Sequence, residues 1–457
     1  MASPEKVCIV GAGSSGLTAC QVLAARGIPF DCFEKGSMIG GNWRYGNDNG
    51  TSSAYKSLHI NSARKLMSYK AHPMPADYPD YPSHEQVARY FDGYAERFGL
   101  NEKITFNTEV VSVEPVDDDE RRRGSSRYPD QTSTAHWEVT VEGPDGGRCD
   151  ERYRAVLVAN GHHWQPRWPE PPFPGADDFE GEQMHVHYYR EPDILVGKRV
   201  LVLGIGNSAV DVAVESSRIA DATFLAMRRG AWVLPKFLGG KPIDESMPPL
   251  LSYLPLAAQR FFAARLLKVS VGDMTDYGLP KPDHKLFEAH PTVSSELLPR
   301  IGHGDIAVKP NLDRFAGGRA VRFADGSEEQ VDLVVYCTGY RIEFPFLAAE
   351  VFAARDNRMP LYRRVVSAEN AGLYFIGFIQ PLGPIMPLAE AQAEWVADLL
   401  TSRAALPPVA EMRKEIDAYE RWLHKRFVSS KRHTIEVDFH PYLREIRRER
   451  KRVAQAA

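Results

Sequence analysis

The sequence predicts an α/β fold that contains the same strand–loop–helix unit twice. The apolar run Val7–Val10 precedes Gly11-Ala12-Gly13-Ser14-Ser15-Gly16, and the apolar run Val200–Leu203 precedes Gly204-Ile205-Gly206-Asn207-Ser208-Ala209. A helical pattern follows each loop, and that setting makes a short glycine pattern informative. Both segments therefore match the βαβ unit of Rossmann-like dinucleotide-binding domains.

The chemistry of these loops suits a pyrophosphate. Their glycines allow a tight turn and let backbone N–H groups approach the ligand. The helix that follows adds unpaired donors and the positive end of its dipole. We expect one dinucleotide at Gly11, Ala12, Gly13, Ser14, Ser15 and Gly16, and another at Gly204, Gly206, Asn207, Ser208 and Ala209.

The residues that end the next strand distinguish the two sites. Glu34 follows the apolar strand Phe30–Phe33, where a carboxylate accepts hydrogen bonds from both hydroxyls of an adenosine ribose and repels a 2′-phosphate. In the second unit, Arg228 and Arg229 take the equivalent place, and a guanidinium matches a phosphate dianion. One charge-assisted hydrogen bond of roughly 1.5–3 kcal/mol from such an arginine corresponds to about a ten- to hundredfold preference for NADPH over NADH. The second site is therefore predicted to bind NADPH.

The composition is that of a globular enzyme. The 457 residues are 43% hydrophobic and 25% charged, with a formal net charge of −4. This near-neutral balance argues against a nucleic-acid partner. Only six residues precede the first strand, and no apolar run approaches the ~18 residues that span a bilayer. We expect a soluble cytoplasmic protein without a transmembrane segment.

The cysteines exclude one class of two-nucleotide enzyme. Flavin disulfide reductases need a closely spaced cysteine pair beside the flavin to carry electrons onward. The five cysteines here have neither that spacing nor the spacing of a metal site, so no metal is expected: Cys8, Cys20, Cys32, Cys149 and Cys337. Dioxygen is then the obvious electron acceptor.

One segment between the two glycine loops carries a family fingerprint. Residues Phe179–Tyr189 match F-x-G-x-x-x-H-x-x-x-Y, which is typical of flavin-containing monooxygenases. Further segments of that family occur in the same order: Gly40-Gly41-Asn42-Trp43, Asn61-Ser62, Tyr336-Cys337-Thr338-Gly339-Tyr340 and Gly377-Phe378-Ile379-Gln380-Pro381-Leu382-Gly383. From about Val7 to Tyr442 the chain resembles this family of class B flavoprotein monooxygenases.

The resemblance implies a reaction. NADPH reduces FAD, dioxygen adds to the reduced flavin, and the C4a-hydroperoxyflavin oxygenates a soft nucleophile such as an amine nitrogen or a sulfide sulfur. The protein must shield the peroxide from water with preorganised donors. On the same basis we expect FAD contacts from Asn42, Trp43, Ser62 and Gln380. Asp211, one turn after the second loop, is expected to contact NADPH or to act as a local cap partner.

Asn61 is the expected catalytic residue. In the resembling enzymes this asparagine lies beside the reactive edge of the flavin, where its amide can donate to a peroxide oxygen and its carbonyl stays available to the nicotinamide. The alternative is a turn-forming asparagine before Ser62. Because the hydroperoxide is itself the oxidant, no nucleophile–base pair is required. We expect His185 to hold the hinge between domains rather than act as a base.

The paired loops and the resemblance also predict the domain organisation. An FAD-binding domain is expected to be discontinuous, formed by residues 1–168 and 327–442, with the NADPH-binding domain 169–326 inserted. A helix is predicted at Pro387–Thr401. Residues 443–457 are expected to form a basic tail, as a solvated helix with interleaved glutamates.

Two further segments carry less information. The charged stretch Asp117–Thr134 is expected to be a solvated hairpin extension. Apolar residues recur at helical spacing in Leu250–Val271, which suits a tunnel lid, a dimer contact or a peripheral membrane face. We favour the lid or the dimer contact, because interior insertions usually bury their apolar face. The resemblance also allows a homodimer.

Other activities stay open on the sequence alone. Baeyer–Villiger monooxygenases use a similar flavin peroxide on ketones, but their fingerprint ends in Trp followed by Pro or Asp, whereas here Tyr189 precedes Arg190. This difference favours oxidation of heteroatoms. The same scaffold can carry oxidative decarboxylation of an indole-type oxo acid. A non-oxygenating sensor or an NADPH oxidase would bind the same cofactors.

Overall fold

The computed structural model describes residues 5–116, 136–246, 253–428 and 433–453. The hairpin expected at 117–134 lies outside these ranges. The chain divides into two compact units. The first consists of Met1–Ala54, Ser62–Gln165 and Arg341–Ala457, and the second of Tyr55–Asn61 and Pro166–Tyr340. The short segment Tyr55–Asn61, which the sequence assigned to the first domain, thus groups with the second.

Both units combine α-helices with mostly short strands. Within the described residues the α-helices are α1 (Ser14–Ala25), α2 (Arg64–Met67), α3 (His84–Phe98), α4 (Asn207–Ile219), α5 (Leu256–Val271), α6 (Leu297–Gly302), α7 (Met386–Leu400), α8 (Val409–Arg426) and α9 (Phe439–Glu449). The strands are β1 (Val7–Val10), β2 (Phe30–Phe33), β3 (Ile104–Thr105), β4 (Glu109–Pro115), β5 (Trp137–Glu142), β6 (Arg148–Tyr153), β7 (Ala155–Val158), β8 (Gln165–Pro166), β9 (Glu182–His185), β10 (Arg199–Leu203), β11 (Ala222–Met227), β12 (Val233–Leu234), β13 (Phe237–Leu238), β14 (Lys241–Pro242), β15 (Thr292–Val293), β16 (Ala307–Pro310), β17 (Leu312–Gly317), β18 (Ala320–Phe323), β19 (Glu328–Gln330), β20 (Leu333–Tyr336), β21 (Tyr340–Arg341), β22 (Leu361–Tyr362), β23 (Val366–Ser367), β24 (Leu373–Phe375), β25 (Gln380–Leu382) and β26 (Glu436–Asp438).

A seven-stranded sheet organises the first unit, in the order β22-β23-β24-β7-β1-β2-β3. Strand β1 lies between β2 and β7 and is parallel to both, with Val7 opposite Phe30 and Ala155. Every residue of β1 is buried, as expected when a parallel strand is covered on both faces. Helix α1 leaves the carboxyl end of β1, so the first glycine loop lies at the edge of the sheet where such folds bind ligands.

The second unit repeats this arrangement with a five-stranded parallel sheet, in the order β16-β11-β10-β20-β9. Strand β10 lies between β11 and β20, with Val200 opposite Thr223 and Leu333. Helix α4 follows β10 through the second glycine loop. The α/β fold with two Rossmann-like units, predicted from the repeated pattern, is confirmed.

Two C-terminal expectations need correction. The helix predicted at Pro387–Thr401 is α7, one residue earlier at each end. The basic end, however, is not simply solvated. Ile446 in α9 is fully buried, and Arg450 forms ion pairs with Glu394 and Asp398 of α7, with 2.7 Å between its Nε and the Asp398 carboxylate. These contacts hold the end of α9 against α7.

Helix α5 forms most of the segment Leu250–Val271, for which the sequence favoured a lid or a dimer contact. Leu267 is buried, but other large apolar side chains of α5 are exposed, namely Phe261, Phe262, Leu266 and Val269. These four side chains are therefore left uncovered by this single chain, and the lid and the dimer contact remain predictions. Residues 250–252 of the predicted segment lie outside the described ranges.

Candidate functional site

The first glycine loop turns sharply between β1 and α1 and leaves little space for a side chain at Gly11 and none at Gly16. Gly11 adopts a φ of +93°, a left-handed conformation that favours glycine. A Cβ built on Gly16 would lie 1.8 Å from the carbonyl oxygen of Gly11. In the fully described helix α1, the N-cap Gly13 supplies no side-chain hydrogen bond and the first turn carries no acidic residue. The open helix N-terminus and the bare backbone form a cradle that fits a pyrophosphate.

Glu34 lies beneath this loop and is 4% exposed. Its carboxylate accepts hydrogen bonds from the backbone N–H groups of Ala12 at 2.7 Å and Gly36 at 3.0 Å, and from the side-chain amide of Asn49 at 3.1 Å. A carboxylate has about four acceptor positions. Glu34 therefore fixes the loop and retains acceptor capacity for a ribose hydroxyl, and Asn49 is a partner that sequence reasoning missed.

The short helix Gly41–Trp43 lies against the same loop. A Cβ on Gly41 would lie 3.0 Å from the Cα atom of Gly13, so the two backbones are in close contact. The side-chain oxygen of Asn42 accepts hydrogen bonds from the N–H and the hydroxyl of Ser53, at 2.7 and 2.8 Å. Trp43 is half-buried and keeps part of its indole accessible. Asn42 thus stabilises the turn that carries Trp43.

A second glycine contact involves the start of α1. A Cβ on Gly377 would lie 2.0 Å from Ser15 Oγ, and Gly377 has a φ of +84°. The buried Gln392 accepts a hydrogen bond from the Gly377 N–H at 2.8 Å and donates one to the Tyr442 hydroxyl at 2.7 Å. Sequence reasoning missed Gln392, because a glutamine within an apolar helix gives no local sign of its partners.

The second glycine loop has the same construction. Gly204 adopts a φ of +134°, and a Cβ there would lie 2.9 Å from the carbonyl oxygen of Cys337. Helix α4, which is described throughout, has Gly206 as its N-cap, without a side-chain bond and without acidic residues in its first turn. The Asn207 side-chain oxygen accepts a hydrogen bond from the Val293 N–H at 2.9 Å. Ser208 is half-buried and stays accessible at the helix start.

Arg228 and Arg229 follow β11, and both are exposed. Arg229 pairs with Asp283, with 3.4 Å between its Nε and the carboxylate. Arg228 forms no ion pair with any residue that the structure describes. A guanidinium without such a partner is free to bind a phosphate dianion, so the geometry favours Arg228 of the two.

Asp211 lies on α4, one turn beyond the loop. It is half-buried, and its carboxylate accepts a hydrogen bond from the hydroxyl of Tyr55. Burial raises the pKa of Asp211, and burial together with the Asp211 carboxylate raises the pKa of the Tyr55 phenol. The sequence placed Asp211 near NADPH but did not reveal Tyr55 as its partner.

The fingerprint histidines are buried in the second unit. His185 has no exposed surface, and its Nδ1 accepts a hydrogen bond from the His187 N–H at 3.1 Å. The His185 ring lies 5.5 Å from that of Tyr340. Burial lowers the pKa of both histidines to about 4, so both are neutral at neutral pH. This geometry suits a residue that orients backbone.

The remaining predicted residues lie in different parts of the chain. Asn61 is half-buried and ends the segment Tyr55–Asn61 of the second unit, and the half-buried Ser62 resumes the first unit. Gln380 begins β25, and its backbone N–H donates to the Ile435 carbonyl at 2.7 Å. The first unit thus brings together its loop, Glu34, Asn42 and Trp43, and the second unit its own loop and Asp211.

The five cysteines are all free thiols, and burial raises the pKa of the Cys8 and Cys337 thiols. Across the four described ranges, no group of His, Cys, Asp and Glu side chains is arranged to hold a metal ion. In that same part of the chain, no helix has the length and apolarity to cross a membrane.

Comparisons with known proteins agree with this geometry. The family model described as flavin-binding monooxygenase-like matches residues 4–452. Flavin-containing monooxygenase 5 of Rattus norvegicus is 36% identical over 452 residues, which cover 97% of this chain and 82% of that relative.

Solved structures superpose on nearly the whole chain. S-allyl-L-cysteine S-oxygenase from Allium sativum has a TM-score of 0.71 at 26% identity, covering 99% of this chain and 89% of that one. An open structure of cyclohexanone monooxygenase has a TM-score of 0.71 at 17% identity, covering 98% of each chain. At that low identity the second likeness shows the fold alone.

Family, fold and loop geometry lead to one assignment. The cofactors of this chain are FAD and NADPH, and its oxidant is dioxygen. The protein is a flavin-dependent monooxygenase and belongs to the flavin-containing monooxygenase family.

Proposed function

We propose that this enzyme oxygenates nitrogen or sulfur atoms of small amines and sulfides. The observation that carries the proposal is the likeness, at 26% identity over 99% of the chain, to an enzyme that oxygenates the sulfur of S-allyl-L-cysteine. The fingerprint ending Tyr189-Arg190 supports it, since it lacks the Trp of the Baeyer–Villiger pattern.

We propose FAD at the first loop and NADPH at the second. The loop Gly11–Gly16 offers backbone N–H groups at an open helix N-terminus, with the Glu34 carboxylate bound to the Ala12 N–H, which suits a dinucleotide whose adenosine ribose has free hydroxyls. The loop Gly204–Ala209 is followed by the exposed Arg228, which suits a 2′-phosphate. Bound FAD supplies the redox chemistry that activates dioxygen.

The role of the chain is to hold donors, acceptors and charges in place. Asn61 provides one amide donor and one carbonyl acceptor, which suit an oxygen atom and a nicotinamide amide respectively. His185 and His187 are neutral and buried, so they orient backbone without supplying protons. Within the proposed mechanism no side chain acts as nucleophile.

A panel of substrates tests the proposed substrate class. The purified enzyme, with NADPH and dioxygen, is offered a thioether, a tertiary amine and a ketone of similar size, and products are identified by mass spectrometry. We expect a sulfoxide and an N-oxide. Ester formation from the ketone alone would assign the enzyme to Baeyer–Villiger oxidation instead. NADPH consumption without any oxygenated product would indicate an oxidase.

Two finer proposals follow, of which only the homodimer rests on the family resemblance. We propose a cytoplasmic location and a homodimer. Cell fractionation tests the first, and light scattering after size-exclusion chromatography tests the second. A monomer at all concentrations would contradict the dimer.

A further inference from the structure

The seven-residue segment Tyr55–Asn61 ends at the proposed catalytic asparagine. It groups with the second unit, although the chain on both sides of it belongs to the first. The backbone N–H of Lys56 donates to the Arg190 carbonyl at 2.8 Å, and the Leu58 N–H donates to the Tyr55 carbonyl at 2.9 Å. These bonds turn the segment back on itself and tie its first residues to the chain after the fingerprint.

Tyr55 is the anchor of this segment. It is 4% exposed and belongs to the same apolar cluster as Val210 and Val214 of α4. Its hydroxyl donates to Asp211, one turn beyond the loop at which we place NADPH. Asn61 is six residues further along the chain, so its position depends on how this anchor is held.

A second tyrosine makes a parallel contact on the same helix. Tyr189 donates its hydroxyl to Glu215 at 2.6 Å, and Glu215 lies four residues after Asp211 on the same face of α4. The rings of Tyr55 and Tyr189 are 5.8 Å apart. The two pairs are chemically alike, but only Tyr55 lies on the segment that ends at Asn61. Tyr189 therefore offers a matched control.

Burial makes the Tyr55–Asp211 bond consequential. A hydrogen bond to a carboxylate contributes more than one between neutral groups, and a half-buried carboxylate that loses its donor is left poorly solvated. The Tyr55 phenol is held neutral, since burial and the neighbouring carboxylate both raise its pKa. It thus keeps its proton and donates over the whole working range of pH.

We propose that Tyr55 is a positioning residue, which through Asp211 fixes the segment bearing Asn61 to the nucleotide-binding helix α4. Asn61 and the Gly204–Ala209 loop then keep a fixed position relative to each other within the second unit. The inference rests on the proposed role of Asn61. It adds that the coupling of NADPH consumption to oxygenation of the substrate depends on Tyr55, a residue outside the proposed cofactor contacts.

The test compares coupling, defined as oxygenated product formed per NADPH consumed, in the holoenzyme and its variants. Tyr55→Phe keeps the apolar ring and removes only the hydroxyl. We expect hydrogen peroxide release per product to rise by about tenfold, the factor that corresponds to one lost hydrogen bond. The KM for the sulfide substrate should stay within about twofold, because the loss of this hydroxyl does not change the residues that contact the substrate.

Tyr189→Phe is the control. It removes a hydroxyl with the same kind of partner on the same helix, and we expect a clearly smaller rise in hydrogen peroxide release than for Tyr55→Phe, because Tyr189 lies outside the segment that ends at Asn61. Equal uncoupling in both variants, scaling with their loss of thermal stability, would show a merely structural role and overturn the inference.

A double-mutant cycle provides a second test of the same bond. Asp211→Asn retains a carbonyl acceptor for Tyr55, so it should uncouple less than Asp211→Ala. The double variant Tyr55→Phe with Asp211→Ala should leak no more peroxide than Asp211→Ala alone, because both act on one bond. Additive effects would overturn the inference.

Asn61→Ala separates the role of Tyr55 from that of Asn61. If Asn61→Ala uncouples and Tyr55→Phe does not, the positioning role of Tyr55 fails while the role of Asn61 stands. If Asn61→Ala stays fully coupled, the proposed role of Asn61 fails, and the inference fails with it.

Discussion

Replacing Gly16 with alanine tests the geometry of the first loop most severely. Gly16 lies in the first turn of α1, where alanine is ordinarily preferred to glycine by about 1 kcal/mol. The structure reverses that expectation. The new Cβ would lie 1.8 Å from the Gly11 carbonyl oxygen, whereas ordinary van der Waals contact begins at 3.4 Å.

Relief of this clash requires a backbone movement, because both partners belong to the loop. The gap between 3.4 and 1.8 Å is a displacement of 1.6 Å. Overpacking of this kind typically costs about 1–3 kcal/mol or more, and a shifted loop no longer presents its N–H groups to a pyrophosphate. We expect Gly16→Ala to be purified without FAD, as judged by the flavin absorbance per protein and by reconstitution with excess FAD.

Gly27→Ala is the matched control at the other end of α1. Gly27 has a φ of +67° and no atom within 4 Å of its Cβ position, so alanine there introduces backbone strain of about 1–2 kcal/mol without a clash. It should lower the melting temperature slightly and bind FAD fully. A Gly16→Ala protein with full FAD content and raised thermal stability would refute the reasoning.

Three further outcomes are expected. Arg228→Ala should raise the KM for NADPH by about tenfold and leave the KM for NADH unchanged. Because Arg229 already pairs with Asp283, Arg229→Ala should change either KM by less than about threefold. Equal effects of the two substitutions would contradict the choice of Arg228. Asn61→Ala should reduce FAD with NADPH at a near-normal rate but release hydrogen peroxide as the main product, and unchanged coupling would remove Asn61 from catalysis. His185 has a pKa of about 4 in the folded protein, below its unfolded value of 6.5, so between these pH values only the unfolded chain binds a proton at this residue. The contribution of neutral His185 to stability is therefore present above pH 6.5 and is lost as the pH falls towards 4. The lowered pKa of His185 alone should therefore make the unfolding free energy at about pH 5 about 2 kcal/mol lower than at neutral pH, and His185→Gln should remove that part of the pH dependence.

The sequence predicted the architecture because the relevant signals are local. The apolar runs of four residues before each glycine loop became β1 and most of β10, and the helix predicted at Pro387–Thr401 became α7 within one residue at each end. Phosphate loops and the acid or arginine after the next strand have fixed spacing, so Glu34 and the pair Arg228 and Arg229 could be proposed from residue order alone. The choice between the two arginines needed the ion pair of Arg229 with Asp283.

The contacts that hold the site together could not be predicted in this way. Tyr55 and Asp211 are 156 residues apart, and nothing near either residue indicates the other. The same is true of Gln392, which binds the Gly377 backbone, and of the exposed side chains of α5. Such pairs depend on the tertiary packing of each unit, whereas sequence periodicity reports only which face of an element is apolar.

The central claim is that the enzyme transfers one atom of dioxygen to a soft nucleophile at the expense of NADPH. Turnover of a thioether under isotopically heavy dioxygen, with NADPH consumption recorded in parallel, tests it most directly. We predict a sulfoxide that carries the heavy oxygen, formed in equal amount to the NADPH consumed. A sulfoxide without the label, or heavy oxygen recovered only as hydrogen peroxide, would contradict the claim.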